Sequence, residues 1–132
     1  VETCERYGIG ITPFSPLAQG LLTGKYRKGQ PLPAGSRATW QADRQINDLL
    51  TEENLDKVEE LRKVADGLGL AMPVLALAWI LRLPVISSVI VGASKPSQLE
   101  SNLAASGVEL PADALAEIDR ILGFRRFERH IG

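Results

Sequence analysis

The chain has 132 residues, 45% of them apolar and 23% charged, and its formal net charge is -1. These values are typical of one small globular domain and give no electrostatic reason to expect nucleic acid or a membrane surface as a partner. The longest uncharged, mostly apolar stretch, residues 68–81, is shorter than the roughly 20 residues that a bilayer span needs.

The N-terminal part of the chain reads as a helix end, a short strand and a loop. Residues 1–8 have the pattern of the last turns of a helix. Because domains seldom begin at such a point, we expect the chain to be part of something longer. Residues 9–14 predict a strand, which Ser15-Pro16 ends because proline has no amide donor for a sheet. Leu17–Leu22 predicts a helical turn.

Four helices are predicted in the rest of the chain. Thr51 is expected to cap the first, which runs to about Asp66 with its apolar residues mostly on one face. The second, Pro73–Leu83, is apolar nearly all round, which is typical of a helix buried between layers. The third and fourth begin at prolines and stop near glycines, at Pro96–Ala105 and Pro111–Gly123.

A second strand is predicted between these helices. Val85–Val91 is a β-branched run with apolar residues on both faces, which predicts a central parallel strand covered on both sides. With residues 9–14 it makes two strand–loop–helix units, so the expected fold class is α/β. In such folds ligands bind at the carboxyl ends of the strands. The loops after the two strands are therefore candidate sites.

The first of these loops, residues 15–20, is called the Ser15 loop. Its backbone could enclose a polar ligand, with Lys25 and Arg37 supplying positive charge to a phosphate and arginine acting as a two-pronged donor. The alternative is a surface loop flanked by solvated cations, and the residues alone favour that alternative.

The second loop, residues 91–94, is called the Ser94 loop. Gly92 permits close backbone approach, and the helix that follows presents free amides to an anion such as phosphate. Gln98 and Asn102, one helical turn apart, are expected to face the same side. The alternative, which spacing alone favours, is an ordinary strand–helix turn with Ser94 as the N-cap.

Cys4 and His130 are the only cysteine and histidine. A single cysteine excludes an internal disulfide, and a cytoplasmic location is therefore the expectation. The two residues offer too few ligands for a metal ion, so no metal site is predicted. A nucleophile–histidine pair stays open as an alternative, although Cys4 is more simply a small packing residue.

Three stretches together resemble the C-terminal part of an aldo-keto reductase. ITPFSPLAQGLLTGKY resembles the seventh strand and following loop of that family's (β/α)8 barrel. LGLAMPVLALAWILR resembles the helix leading into strand eight, and SSVIVGASKPSQLESNL resembles strand eight with its cofactor-binding helix. The branch that includes the potassium-channel β-subunits is the most similar, since SPLA-x-G-x2-[ST]-GKY and an SRA triplet recur there.

The resemblance implies a fold, a cofactor and its contacts. Residues 1–132 would be the C-terminal part of a single TIM barrel domain, about strands 7–8 with their helices, and residues 124–132 a loosely held tail. The implied cofactor is NADP(H). One group of residues would lie along its nicotinamide and pyrophosphate: Phe14, Ser15, Pro16, Leu17, Ala18 and Gly20. A second group would contact its phosphates, ribose and adenine: Lys25 and Arg37 beside the phosphates, Gly92, Ser94 and Gln98 around the 2′-phosphate and ribose, and Asn102 at the adenine.

Two positions depart from the family pattern. Ser101 stands where an acidic residue usually precedes the adenine-contacting asparagine, and Gln98 stands where classical members often have arginine. Both changes remove a charged contact, which leaves open the preference for NADPH over NADH.

The resemblance also implies an oxidoreductase that reduces an aldehyde or ketone to an alcohol by hydride transfer. The family's Asp–Tyr–Lys–His tetrad lies on earlier strands, and Tyr7 and Tyr26 lack its context, so no catalytic residue is predicted in this chain. One alternative is a non-catalytic, cofactor-sensing subunit that binds a partner protein; another is a short chain with only a folding or scaffold role. Open sheet edges predict self-association.

Overall fold

The computed structural model describes residues 1–40 and 44–123. Within these ranges there are six α-helices: α1 Glu2–Tyr7, α2 Arg44–Leu49, α3 Glu52–Gly67, α4 Met72–Leu81, α5 Pro96–Leu103 and α6 Ala112–Leu122. Two 3₁₀ helices, Ala18–Thr23 and Arg37–Thr39, lie between α1 and α2, and the first is interrupted by non-helical backbone at Gln19 and Gly20. The prediction of a loosely held tail falls on residues 124–132, outside the described residues, as does His130.

The four helices predicted after residue 50 are present as α3 to α6, with ends close to those predicted. Thr51 caps α3 as expected, because its hydroxyl oxygen accepts a hydrogen bond from the Asn54 amide at 3.2 Å. Gly8 ends α1 in the left-handed conformation, with φ of 65°. Helix α2 was not predicted, because its six residues have no clear apolar period.

Helix α4 lies at the centre of the fold because it is apolar on every side. Met72 and Leu75 belong to the main core, which also contains residues of α3, α6 and the first 3₁₀ helix. Val74 and Leu77 belong to a second, smaller cluster with Ala105, which lies just beyond α5. The prediction of a helix buried between layers is therefore confirmed.

Two extended segments stand where strands were predicted. Ile11 bridges Ile86 and Phe14 bridges Ile90, and both bridges are parallel. The parallel direction of the two segments agrees with the prediction. They are joined only by isolated bridges, however, and Val85–Val91 does not form a continuous strand. Two residues separate the bridges in the first segment and three in the second, so one extra residue interrupts the register.

Three backbone hydrogen bonds hold the two segments together. The Ile11 amide donates to the Val85 carbonyl at 2.8 Å, and the Ser87 amide donates to the Ile11 carbonyl at 2.9 Å. Further along, the Ile90 amide donates to the Pro13 carbonyl at 2.9 Å. Pro13 cannot donate in return, which is one physical reason why the ladder does not continue.

The prediction that Val85–Val91 is covered on both faces is wrong for the described residues. Val89 and Val91 pack against the second cluster on one side. Ile90 is 57% exposed, and its bridge partner Phe14 is 79% exposed. Some apolar side chains of the two segments are therefore not covered by the described residues, and they form an exposed apolar surface beside the bridges.

Candidate functional site

Both candidate loops leave the same edge of the bridged pair. Because the bridges are parallel, the two segments run in the same direction and their carboxyl ends lie together. The Ser15 loop follows Phe14 directly, and the Ser94 loop follows Ile90. The structure thus brings the two loops to the edge where strand–loop–helix folds bind ligands.

The Ser15 loop has an unusual backbone. Three of its non-glycine residues have positive φ, namely Ser15 at 53°, Ala18 at 46° and Gln19 at 58°. Gly20 follows with φ of 101°, which glycine adopts without a steric penalty. Such conformations cost free energy and cluster where a ligand must be held. Among the sequence signals, only Gly20 marked this conformation.

A chain of side-chain hydrogen bonds crosses the Ser15 loop. The Gln19 Nε2 donates to the Ser15 Oγ at 3.1 Å. The Arg37 Nη1 donates in turn to the Gln19 Oε1. Arg37 is therefore brought to the loop although it lies 17 residues after Gly20. Gln19 was missed by the sequence reasoning; its position between two predicted contact residues was the available signal.

Lys25 lies against the same loop. A Cβ built at Gly20 would be 3.3 Å from both the Cε and the Nζ of Lys25, so the absence of a side chain at Gly20 makes room for the lysine. The Thr23 hydroxyl donates to the Gly20 carbonyl at 2.7 Å and accepts from the Lys25 amide at 3.4 Å. These hydrogen bonds form a turn in the backbone, which places the Lys25 ammonium beside the Ser15 loop.

Neither Lys25 nor Arg37 makes an ion pair within residues 1–40 and 44–123, and both are exposed. By contrast, Lys28 pairs with Glu52 and Asp56. The hydroxyl of Ser36, adjacent to Arg37, is buried without a hydrogen-bond partner in the described part of the chain. Two cations without a carboxylate partner beside a strained loop are suited to an anion such as phosphate.

The Ser94 loop is organised by one side chain. The Gln98 Oε1 accepts hydrogen bonds from the Ser94 amide at 2.8 Å, the Ser94 hydroxyl at 3.1 Å and the Lys95 amide at 3.2 Å. Lys95, not Ser94, is the N-cap of α5, so the alternative with Ser94 as N-cap is wrong in that detail. Gly92 has open space where a side chain would be.

Gln98 and Asn102 differ in accessibility despite their spacing of one turn. Gln98 is exposed, whereas Asn102 is 8% exposed. The structure therefore does not present the two side chains together on one exposed surface, as the spacing predicted. The adenine contact of Asn102 stays a prediction.

The apolar members of the predicted set divide into two kinds. Phe14 presents a large exposed ring at the start of the Ser15 loop. Leu17 packs against the second cluster and Ala18 against the main core. Pro16 lines an apolar cavity of about 120 Å³ between α3, α4 and α6. Side-chain packing of these last three residues anchors the loop to the helices and leaves its backbone for a ligand.

Several charged side chains away from the loops are paired on helix surfaces. The pKa of Glu117 is lowered because Arg120 donates hydrogen bonds to its carboxylate, and Arg120 also reaches Glu60 of α3 at 3.2 Å. The pKa of Glu53 is lowered by the hydrogen bond from Lys57. These exposed pairs lie on helix surfaces, only the contact of Arg120 with Glu60 joins two helices, and they do not form a site.

Two other kinds of site receive no support from the described residues. No group of three or more His, Cys, Asp or Glu within residues 1–40 and 44–123 is arranged to hold a metal ion. In the same part of the chain no single helix is long and apolar enough to cross a membrane; α3 and α4 pass that test only as a pair, which is bent by 89°.

Comparison with known proteins decides the family. The sequence model of the aldo/keto reductase family matches residues 1–123. The chain belongs to the aldo/keto reductase family. The (β/α)8 barrel is the fold that this membership implies.

Several curated aldo/keto reductase relatives are similar to the chain. A putative voltage-gated potassium channel subunit beta from Schizosaccharomyces pombe is 41% identical over 127 residues, covering 92% of the chain and 36% of the relative. A probable voltage-gated potassium channel subunit beta from Arabidopsis thaliana is 44% identical over 103 residues, covering 77% and 31%. The L-glyceraldehyde 3-phosphate reductase of Escherichia coli K12 is 37% identical over 122 residues, covering 91% and 35%. The chain thus spans about a third of the length of these relatives.

Proposed function

We propose that this chain is the NADP(H)-binding part of an aldo/keto reductase, formed by about strands seven and eight of the barrel with their helices. The parallel pairing of Ile11 with Ile86 and of Phe14 with Ile90 carries the proposal. It brings the Ser15 loop and the Ser94 loop to one edge, where a dinucleotide could contact both.

The residues present fit such a cofactor. Lys25 and Arg37 offer positive charge without a carboxylate partner in the described residues. Gly92 leaves room for close approach, and Phe14 presents an exposed ring that can stack on a flat heterocycle. The Ser15 loop would hold the nicotinamide and pyrophosphate, and the Ser94 loop the adenosine end. When bound, NADPH supplies the hydride.

The proton chemistry is assigned to other parts of the barrel. Tyr26 is 3% exposed, and its hydroxyl accepts a hydrogen bond from the Ala38 amide, so it does not present a proton to a ligand. Tyr7 is 67% exposed on α1, which precedes the first bridged segment, whereas the two candidate loops follow the bridged segments. The proposal therefore places the catalytic tetrad outside the 132 residues, in a cytoplasmic enzyme that acts on a small-molecule aldehyde or ketone.

A fluorescence titration tests this function. Reduced nicotinamide is fluorescent, so adding the protein to NADPH should change its emission and saturate at stoichiometric protein. Adding NADP should reverse the change by competition. No change in emission at high micromolar concentrations of the full-length protein would contradict NADP(H) binding.

A second candidate is a cofactor-sensing regulatory subunit. It is favoured because relatives at 41% and 44% identity are named as potassium channel beta subunits. Both candidates require NADPH binding, but only the reductase requires turnover. Because the tetrad is placed outside these residues, the test uses the whole barrel: consumption of NADPH with a simple aldehyde selects the enzyme, and binding without turnover selects the regulatory subunit.

We further propose that these 132 residues self-associate when no other barrel segment covers the bridged pair. Phe14, Ile90 and Ile9 are each more than half exposed beside unpaired segment edges, a combination that favours edge pairing. Light scattering after gel filtration should show species larger than a monomer. A monomer with one cooperative thermal transition would contradict this proposal.

A further inference from the structure

Tyr26 belongs to the main core and has a contact beside each of the two cations, Lys25 and Arg37, that are proposed to bind phosphate. Its side chain is 3% exposed. The Lys25 Nζ lies 5.1 Å from the centre of its ring. Its hydroxyl oxygen accepts a hydrogen bond from the Ala38 amide at 3.4 Å, and Ala38 directly follows Arg37.

The two contacts act on different cations by different means. An ammonium within about 6 Å of an aromatic ring centre is attracted by the negative face of the ring. This attraction favours the position of Lys25 beside Gly20. The hydrogen bond from Ala38 holds the backbone of the short 3₁₀ helix Arg37–Thr39, so the base of the Arg37 side chain is held near the Ser15 loop.

Long cationic side chains lose conformational entropy when a ligand orders them. Contacts that order them beforehand reduce this loss and strengthen binding. Tyr26 can supply both contacts because the core holds its ring in place. No other described residue in a core cluster has a ring contact to one of these cations and a hydrogen bond beside the other.

We propose that Tyr26 is a positioning residue that directs Lys25 and Arg37 onto the same phosphate groups. Its ring positions the Lys25 ammonium, and its hydroxyl positions Arg37 through the Ala38 amide. The inference rests on the proposed function, because the phosphates are those of NADP(H). It goes beyond that function by assigning a role to a residue that need not touch the cofactor.

The test begins with Tyr26→Phe, which keeps the ring in the core and removes the hydroxyl. We expect NADPH to bind about three- to tenfold more weakly, the usual effect of losing one hydrogen bond. Tyr7→Phe is the matched control, because Tyr7 is exposed on α1, and it should bind NADPH as the wild type does. Thermal unfolding of each variant verifies that the fold is retained.

A double-mutant cycle separates positioning from a general loss of stability. If the hydroxyl acts through Arg37, Tyr26→Phe should have less than about a twofold effect in an Arg37→Gln background. In a Lys25→Gln background it should keep its full effect, because the hydrogen bond between the Tyr26 hydroxyl and the Ala38 amide does not involve Lys25. Equal losses in both backgrounds, or no loss in Tyr26→Phe itself, would overturn the proposal.

A second measurement works without NADPH. Labelling with phenylglyoxal, read by mass spectrometry, reports the accessibility of individual arginines. In Tyr26→Phe the labelling of Arg37 should become faster while that of the exposed Arg27 is unchanged; equal rates for Arg37 in both proteins would refute the positioning role. If the wild type fails to bind NADPH, the proposed function fails, and the labelling alone decides the role of Tyr26.

Discussion

The Ser15 loop and the Ser94 loop follow the two segments of one bridged pair, but they are held in different ways. Three non-glycine residues of the Ser15 loop have positive φ, and its side chains link to Arg37 through Gln19. The Ser94 loop has no residue with positive φ, and the Gln98 side chain holds it to the start of α5.

This difference indicates that the two loops depend on different parts of the molecule. The Ser15 loop is anchored to both core clusters through Leu17 and Ala18, so its strained backbone persists because packing determines it. The Ser94 loop is exposed and local, and its shape depends on a helix cap. Substitutions at the Ser15 loop should therefore have larger effects than substitutions at the Ser94 loop.

The largest effect is expected for Arg37→Gln. Loss of a charged hydrogen bond to phosphate costs about 1.5–3 kcal/mol, so NADPH affinity should fall by about ten- to a hundredfold. Arg27→Gln removes an exposed cation outside the loop contacts and should leave the affinity nearly unchanged. Fluorescence titration measures both. Equal affinities in the two variants would contradict the phosphate role of Arg37.

A smaller effect is expected for Gly20→Ala. The substitution forces alanine into φ of 101° and puts a Cβ 3.3 Å from the Lys25 Nζ. We expect a loss of about 1–2 kcal/mol in the free energy of unfolding and weaker NADPH binding. Gly29→Ala is the control: Gly29 has φ of 71° with nothing within 4 Å of its Cβ position.

The control should lose stability to a similar degree without losing affinity. Urea unfolding measures the first quantity and fluorescence titration the second. If the two alanine variants bind NADPH equally well, the contact between Gly20 and Lys25 does not contribute to the site.

Gln98→Ala should have a smaller effect again. It removes the acceptor of hydrogen bonds from Ser94 and Lys95, and a lost helix cap typically costs about 1 kcal/mol. The urea midpoint should fall, and NADPH affinity should fall less than in Arg37→Gln. Ser101→Ala, an exposed change in the same helix, should not shift the midpoint downward. A drop in affinity larger than that of Arg37→Gln would reverse the comparison between the loops.

The smallest effect is expected for the exposed ion pair of Glu117 with Arg120. The folded state lowers the pKa of Glu117, so its contribution to stability is present above the ordinary carboxyl pKa of about 4.3 and is lost as the pH falls through the folded value. Glu117→Gln should lower the urea midpoint slightly at about pH 6 and have a smaller effect at about pH 3. A difference of equal size at both pH values would show that the ion pair is not its cause.

Helices α3 to α6 could be predicted from sequence because their signals are local. Thr51 marks the start of α3 by its cap, and Pro73 with its apolar neighbours marks α4 as a buried helix. The extended segments were harder. Val85–Val91 has the composition of a continuous strand, but pairing requires neighbours that composition does not specify, and Pro13 interrupts the partner.

In the candidate site, too, local features could be predicted from sequence and tertiary contacts could not. The position of the Ser15 loop after a predicted strand identified it, with Lys25 and Arg37 as candidate cations, and the family resemblance favoured these residues over the surface-loop alternative. The hydrogen bond between Gln19 and Arg37 and the burial of Asn102 depend on tertiary packing, so no local pattern predicted them. The structure shows the Gln98 Oε1 holding the Ser94 loop, and the contact of Gln98 with a ligand stays a prediction.

Ligands that correspond to one half of the dinucleotide test whether the two loops bind its opposite ends. Reduced nicotinamide mononucleotide and adenosine 2′,5′-bisphosphate would each be titrated calorimetrically into the wild type, Arg37→Gln and Gln98→Ala. We expect Arg37→Gln to weaken both half-ligands, because each carries one phosphate of the pyrophosphate, and Gln98→Ala to weaken only the adenosine half. The proposal would be contradicted if Gln98→Ala weakened both halves equally, or if Arg37→Gln weakened neither.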